Sequence, residues 1–201
     1  PSPPIFRGGF WASFFLTTKK PGEWRPILNL KPLNAYIKPT LFRLQTLKQV
    51  LQCPIKGTWT TVIDLKDAYL HIPICREDQQ WLRFQIEHQA FAFRCLPFGL
   101  STAPRVFTRV VTVVGEHLRR QGISICQYLD DWLIYSQSAE EAILQTNQVI
   151  STVASLGFLI NHKKSRLTPT QTPTYLGAQL DLVQGRARPS PERGTTLVTC
   201  I

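Results

Sequence analysis

The chain has 201 residues, 43% hydrophobic and 18% charged, which is enough for one sizeable core and unlike a disordered composition. Lys and Arg number 23 against 13 Asp and Glu, and the resulting net charge of +10 points to a polyanionic partner, with nucleic acid the leading class. Five scattered cysteines (53, 75, 95, 126 and 200) without a C-x-x-C pair argue against a zinc site or disulfide framework and for reduced thiols in an intracellular protein, and no apolar run approaches membrane-spanning length.

Residues 1–9 are rich in Pro and Gly and read as a loose lead-in. The apolar run 10–18 is too short for a signal sequence and lacks a clear basic segment before it, so it reads as a buried strand. A turn at Lys19-Lys20-Pro21-Gly22 leads to a second apolar run, 24–30, and a short helix over 46–52 stops at Pro54. Residues 58–65 read as a buried strand ending in Asp64, and 80–86 and 90–96 as two more joined by the loop Glu87-His88-Gln89.

Ser101 or Thr102 caps a helix with Pro104 in its first turn, and Gly122 closes it. Its stripe of Val106, Phe107, Val110, Val111, Val114 and Leu118 is core packing at helical spacing. A second helix starts at Ser138, where Glu141 completes a capping box, turns Ile143, Ile150, Val153 and Leu156 inward, and stops at Gly157. Residues 158–160 and 174–180 read as short strands. Strands interleaved with two helices, without an internal repeat or a linker in 10–182, indicate an α+β fold with a mostly antiparallel sheet. The chain contains no Met and reads as part of a longer polypeptide.

Between the helices, Ile123-Ser124-Ile125-Cys126-Gln127 and Trp132-Leu133-Ile134-Tyr135 flank Tyr128-Leu129-Asp130-Asp131, which reads as a β-hairpin with two carboxylates at its tip. Tight turns recruit Gly or Asn, and this one has neither. An isolated Asp-Asp is ordinarily a solvated turn, but two like charges in an apolar hairpin cost stability unless a cation sits there. Asp64 supplies a third carboxylate at the end of a neighbouring buried strand. Three such groups are the hard oxygen ligands that Mg²⁺ prefers, with Mn²⁺ as a substitute. Two ions about 3.5–4 Å apart would activate an attacking 3′-hydroxyl and stabilise a leaving pyrophosphate.

Several ordered blocks then resemble the reverse transcriptases of retroelements. Val62-Ile63-Asp64-Leu65-Lys66-Asp67-Ala68-Tyr69 is similar to their first acidic motif, and Leu96-Pro97-Phe98-Gly99-Leu100-Ser101-Thr102-Ala103-Pro104 to their nucleotide-pocket motif. Tyr128-Leu129-Asp130-Asp131 resembles their catalytic hairpin. Lys20, Trp24, Arg25, Leu33 and Asn34 match the fingers motif before these. After them come Leu156-Gly157-Phe158 with Asn161-His162-Lys163-Lys164, and the primer-grip wording Tyr175-Leu176-Gly177. The resemblance covers about 14–180, and its wording is nearest to tyrosine-recombinase (DIRS-type) elements, then gypsy-type ones.

The resemblance implies a right-hand polymerase fold, with fingers over 10–57 and 75–103, palm over 58–74 and 104–182, and the start of a thumb or connection over 183–201. It implies that Asp64, Asp130 and Asp131 hold two Mg²⁺ ions and that the backbone of Leu65, Lys66, Asp67 and Ala68 faces the incoming dNTP. Lys20 and Arg25 would grip its phosphates, with Lys19 able to stand in for Lys20, and Tyr69 would be the steric gate against a 2′-hydroxyl. Gly99 would let backbone approach the nucleotide beside Phe98, which stands where retroviral enzymes have Gln and gypsy-type enzymes share the Phe. Lys163 or Lys164 would protonate pyrophosphate, and Tyr175, Leu176 and Gly177 would steady the primer end. The implied partners are dNTPs and a primed RNA or DNA template, with no membrane, and with ribonuclease H and recombinase domains elsewhere in a parent polyprotein. The alternative is a decayed or domesticated copy that binds nucleic acid without turnover.

Overall fold

The computed structural model describes residues 8–20, 23–38, 40–42, 44 and 56–190, with the backbone alone for Lys19, Lys20 and Glu23. The helix expected over 46–52, and Cys53 and Cys200, lie outside the described residues. In chain order the strands and helices are β1 (Trp11–Ala12), β2 (Phe14–Lys20), β3 (Glu23–Leu28), α1 (Lys31–Asn34), β4 (Trp59–Asp64), β5 (Arg83–Ile86), β6 (Gln89–Ala92) and α2 (Ala103–Arg120). There follow β7 (Ile125–Tyr128), β8 (Asp131–Ser136), α3 (Ala139–Ser155), β9 (Arg166–Thr170), β10 (Thr174–Tyr175), β11 (Ala178–Asp181) and β12 (Arg186–Pro189). The described residues form two compact units, one within 8–42 with 69–107 and one within 56–68 with 108–190.

In the first unit, the apolar run expected as one strand breaks at Ser13. β1 pairs in parallel with β5, whereas β2 pairs antiparallel with β3, and the Asn29 N–H donates to the Ser13 carbonyl (2.8 Å) at the break. The next expected strand starts only at Arg83, because Gln79–Trp81 is a 3₁₀ turn. Its partner ends at Ala92, after which the chain turns to bond residues 72–74 and 82 instead. The loop between them is two residues long, with Glu87 and His88 both at positive φ, and Gln89 already pairs with Ile86. A core of Phe10, Ala12, Leu28, Leu30, Leu33, Leu82 and Phe84 closes this unit.

The second unit centres on a four-stranded antiparallel sheet in the order β7–β8–β4–β9. Thr60, Thr61, Val62 and Ile63 of β4 are buried on both faces, which is why the strand reads as a continuous β-branched run rather than an alternation. Val62, Cys126 and Leu133 pack one face against Tyr175, Ala178, Leu180 and Leu182 of the β10–β11–β12 sheet and the residue after it. α3 packs on the sheet, and a buried hydroxyl chain ties it there: Thr61 donates to Thr146 (2.6 Å), which donates to the Ala142 carbonyl (2.6 Å).

That contact shifts the expected inward stripe, in which Val153 is buried as expected and Ile150 is half-buried. α3 buries Ala142, Thr146, Val149 and Val153, while Ile143 and Leu156 are about half exposed at 46% and 56%. The small Ala142 and the bonding Thr146 allow a closer approach to the sheet than the larger aliphatics would. Half of the expected capping box forms: the Glu141 N–H donates to Ser138 Oγ (3.1 Å), while the Glu141 carboxylate accepts from the Gln137 N–H (2.9 Å) rather than from that of Ser138. Residues 158–160 form no strand: Ile160 makes a single bridge to Leu65 and Phe158 is buried. Residues 174–180 are a hairpin rather than one strand, turning at Leu176 and Gly177, both at positive φ (50° and 76°). β9 and β12 escaped notice because each carries a Pro and polar residues, the dress of edge strands. Cys75 and Cys95 are free thiols, and Cys126 is buried in β7.

The Gln127 amide donates to the Val111 carbonyl of α2 (2.9 Å), and a Cβ on Gly115 would overlap that amide. Glycine in a helix interior costs about 1 kcal/mol relative to Ala. Gly115→Ala should therefore stabilise only where the amide is gone. Urea unfolding of Gly115→Ala in the wild-type and Gln127→Ala backgrounds should differ by about 1–2 kcal/mol in favour of the latter. An equal effect in both backgrounds would refute the contact.

Candidate active site

The carboxylates meet through strand register. Asp64 ends β4 and pairs directly with Asp131, the first residue of β8, which also pairs with Tyr128 of β7. Alternation along the strands puts Asp64 and Asp131 on the face that carries Val62 and Leu133. Asp130 lies in the two-residue turn, so the tip carries one carboxylate and the first ladder rung carries the other. Leu129, the other turn residue, adopts φ +53°, the place where a tight hairpin ordinarily takes Gly.

Asp64 is 8% exposed and held through its backbone: its N–H donates to Ser165 Oγ (3.0 Å) and its carbonyl accepts from the Asn161 N–H (2.8 Å). Lys164 Nζ stands 3.8 Å from Asp64 Oδ2, so of the two candidate lysines Lys164 faces the carboxylates, and Lys163 is exposed. Burial, then the charges of Asp130 and Asp64, push Asp131 up from 3.8 to about 6, against a smaller downward pull from Lys164. All-oxygen donors crowded until one resists ionisation suit a hard divalent cation. Among the described residues the acids share one end of the sheet without closing into a ligand shell.

The carbonyls of the turn are each engaged. Trp132 Nε1 donates to Leu129 O (3.0 Å), the Leu65 N–H to Asp130 O (2.8 Å), and the Tyr175 hydroxyl to Asp131 O (2.9 Å). The Lys66 N–H donates to Leu159 O (2.8 Å). Two of the backbone donors expected to meet a triphosphate, those of Leu65 and Lys66, are therefore spent inside the fold. Asp67 is exposed at φ +49° and Ala68 is buried. Tyr175 is 2% exposed, while Leu176 and Gly177 form the turn beyond it.

The other candidates belong to the first unit. Tyr69, half-buried in a 3₁₀ turn, lies 5.3 Å from Phe98 and 5.4 Å edge-on from Phe107. The Arg25 guanidinium sits 4.6 Å over the Phe98 ring. Phe98 thus carries Arg25 by a cation–π contact, a task that Gln could not perform. Gly99 adopts φ +99°, and a Cβ there would meet the Leu28 carbonyl at 2.7 Å, so close packing on β3 already requires glycine. Asn34 staples the same loop, donating to Gly99 O (2.8 Å) and accepting from the Ser101 N–H (2.9 Å). Lys20 closes the β2–β3 hairpin opposite Glu23. Sequence reasoning matched Asn34 without giving it a task, and it missed Ser165, one residue past the matched lysine block.

Residues 17–180 match the profile of the family described as "Reverse transcriptase (RNA-dependent DNA polymerase)". The Transposon Tf2-3 and Tf2-7 polyproteins of Schizosaccharomyces pombe are 32% and 31% identical over 154 residues, 76% of this chain and 11% of each polyprotein. Among solved structures, the foamy viral protease-reverse transcriptase in complex with double-stranded DNA aligns with TM-score 0.80 at 21% identity, over 90% of this chain and 31% of that one. The same viral protein with an RNA/DNA hybrid aligns at 0.76 and 22% identity, over 90% of this chain and 24% of that one.

The raised Asp131 carries a stability consequence. Near pH 4 and below, the group is protonated in the folded state and increasingly so in the unfolded one, and its cost fades. As pH rises through about 6 the folded protein must hold a charge that the unfolded chain accepts more readily, so metal-free stability falls. Asp131→Asn should exceed wild type by roughly 2 kcal/mol at pH 7.5 in EDTA and converge with it near pH 4. A difference that does not vary with pH would contradict this origin.

Proposed function

The chain belongs to the reverse transcriptase (RNA-dependent DNA polymerase) family, and on that premise we propose that it supplies the fingers and palm of a retrotransposon RNA-directed DNA polymerase. It would add deoxynucleotides to a primer 3′-hydroxyl along an RNA or DNA template. The observation that carries this reading is the Asp64–Asp131 register with Asp130 in the adjoining turn. The net charge of +10 suits a nucleic-acid substrate, and the nucleic-acid complexes of the foamy viral neighbours support a duplex as partner. The transposon polyproteins it resembles are far longer than this chain, which suits further domains elsewhere in a parent polypeptide; that these are a ribonuclease H and a recombinase, and that they work inside the cell, is part of the proposal.

Asp64, Asp130 and Asp131 would hold two divalent ions, Mg²⁺ or Mn²⁺, which when bound supply activation of the 3′-hydroxyl and neutralisation of the leaving pyrophosphate. Lys164, beside Asp64, is the proposed proton donor to that pyrophosphate. Arg25 presents one face to Phe98 and keeps its N–H edge for phosphate oxygens, with Lys20 adding a point charge. Tyr69 is the proposed gate: a ring under the sugar leaves no room for a 2′-hydroxyl.

In the parent polyprotein, Asp64→Asn or Asp130→Asn should cut Mg²⁺-dependent dNTP incorporation by more than about a hundredfold while duplex binding in EDTA persists. Retained incorporation in either variant would sink the catalytic reading and favour a module that binds nucleic acid without turnover. Tyr69→Ala should raise the ratio of ribonucleotide to deoxynucleotide incorporation about tenfold or more, read by single-nucleotide primer extension. A ratio at the wild-type level would remove Tyr69 from sugar selection.

A further inference from the structure

We infer that Tyr175 is a positioning residue of the catalytic turn: its hydroxyl fixes the Asp131 backbone and so holds the carboxylate pair in register, and it does not touch the primer. The inference rests on the metal-site reading above.

Three successive carbonyls of the turn, those of Leu129, Asp130 and Asp131, accept from Trp132 Nε1, the Leu65 N–H and the Tyr175 hydroxyl. Trp132 belongs to the hairpin itself and Leu65 follows its ladder partner β4. Tyr175 comes from a different sheet, β10–β11–β12, and its hydroxyl hydrogen-bonds that sheet to the hairpin. The turn needs ties. Leu129 holds a left-handed φ of 53° without being glycine, and such a conformation persists only where its surroundings over-determine it.

At 2% exposure Tyr175 has no surface to offer a primer. Its ring packs among Val62, Leu133, Ala178 and Leu180, where Phe would fill the same space. The hydroxyl is therefore the part of the side chain that packing does not explain, and a buried phenol requires a hydrogen-bond partner. Leu176 and Gly177, half-buried in the turn beyond, are left to face a primer end.

The test uses Tyr175→Phe in the full chain with two readouts. In EDTA, hydrogen–deuterium exchange across residues 125–136 should accelerate while α3 keeps its wild-type protection, which shows that the variant is folded. Mn²⁺ titration followed by electron paramagnetic resonance should show about five- to tenfold weaker binding. In an Asp131→Asn background the same substitution should cause no further loss. Unchanged exchange through the turn overturns the inference, and so does an equal loss of Mn²⁺ affinity in both backgrounds. If the wild-type chain takes up no Mn²⁺, the metal reading fails, and the exchange measurement decides Tyr175 alone.

Discussion

Three carboxylates crowded at the end of one β-ladder set the terms for the second unit. Register puts Asp64 opposite Asp131, and chain continuity puts Asp130 in the turn between strands. Nothing in packing favours this. The repulsion is visible in Asp131, which resists ionisation up to about 6. Buried strands on either side supply the opposing stability: Ile63, Trp132, Leu133 and Ile134 have essentially no exposed surface. Hydrogen bonds then fix the backbone on which the acids sit, from Ser165 and Asn161 around Asp64 to the donors that engage the turn carbonyls. Buried apolar strands and a left-handed leucine thus hold like charges together, a repulsion that a bound cation would relieve.

The first unit works by a different economy, in which motif residues hold one another. Phe98 carries Arg25, Gly99 makes room for the Leu28 carbonyl, and Asn34 bridges both sides of the loop that contains them. The motif expected to meet a nucleotide is therefore a packing motif in its own right, and a substitution at Gly99 or Asn34 would disturb Arg25 through the loop before any ligand arrived. Replacement of a polar side chain by Phe at position 98 becomes intelligible on the same ground.

Much of this was legible in the sequence where one physical cause dominated. The β-branched run ending in Asp64, the helix opening at Ala103-Pro104 and closing at Gly122, and the Ser138–Glu141 cap each follow from local chemistry. What could not be read depended on partners distant in sequence. The buried stripe of α3 keeps the expected Val153 but moves from Ile143 and Leu156 to Ala142 and Thr146, because Thr61 reaches Thr146. The hairpin at Leu176 and Gly177 looks like one strand until β12 pairs with β11. The three carboxylates were legible as residue types at plausible strand ends; their anchors were not, because a backbone carbonyl leaves no mark in the sequence, and neither does the tyrosine that binds it.

The proposed divalent-cation site can be seen or refuted by anomalous diffraction from crystals of the chain soaked in Mn²⁺. A manganese peak should lie in contact with carboxylate oxygens of Asp64 and of the 130–131 pair. Crystals that diffract well yet show manganese elsewhere, or none beside these carboxylates, would contradict it.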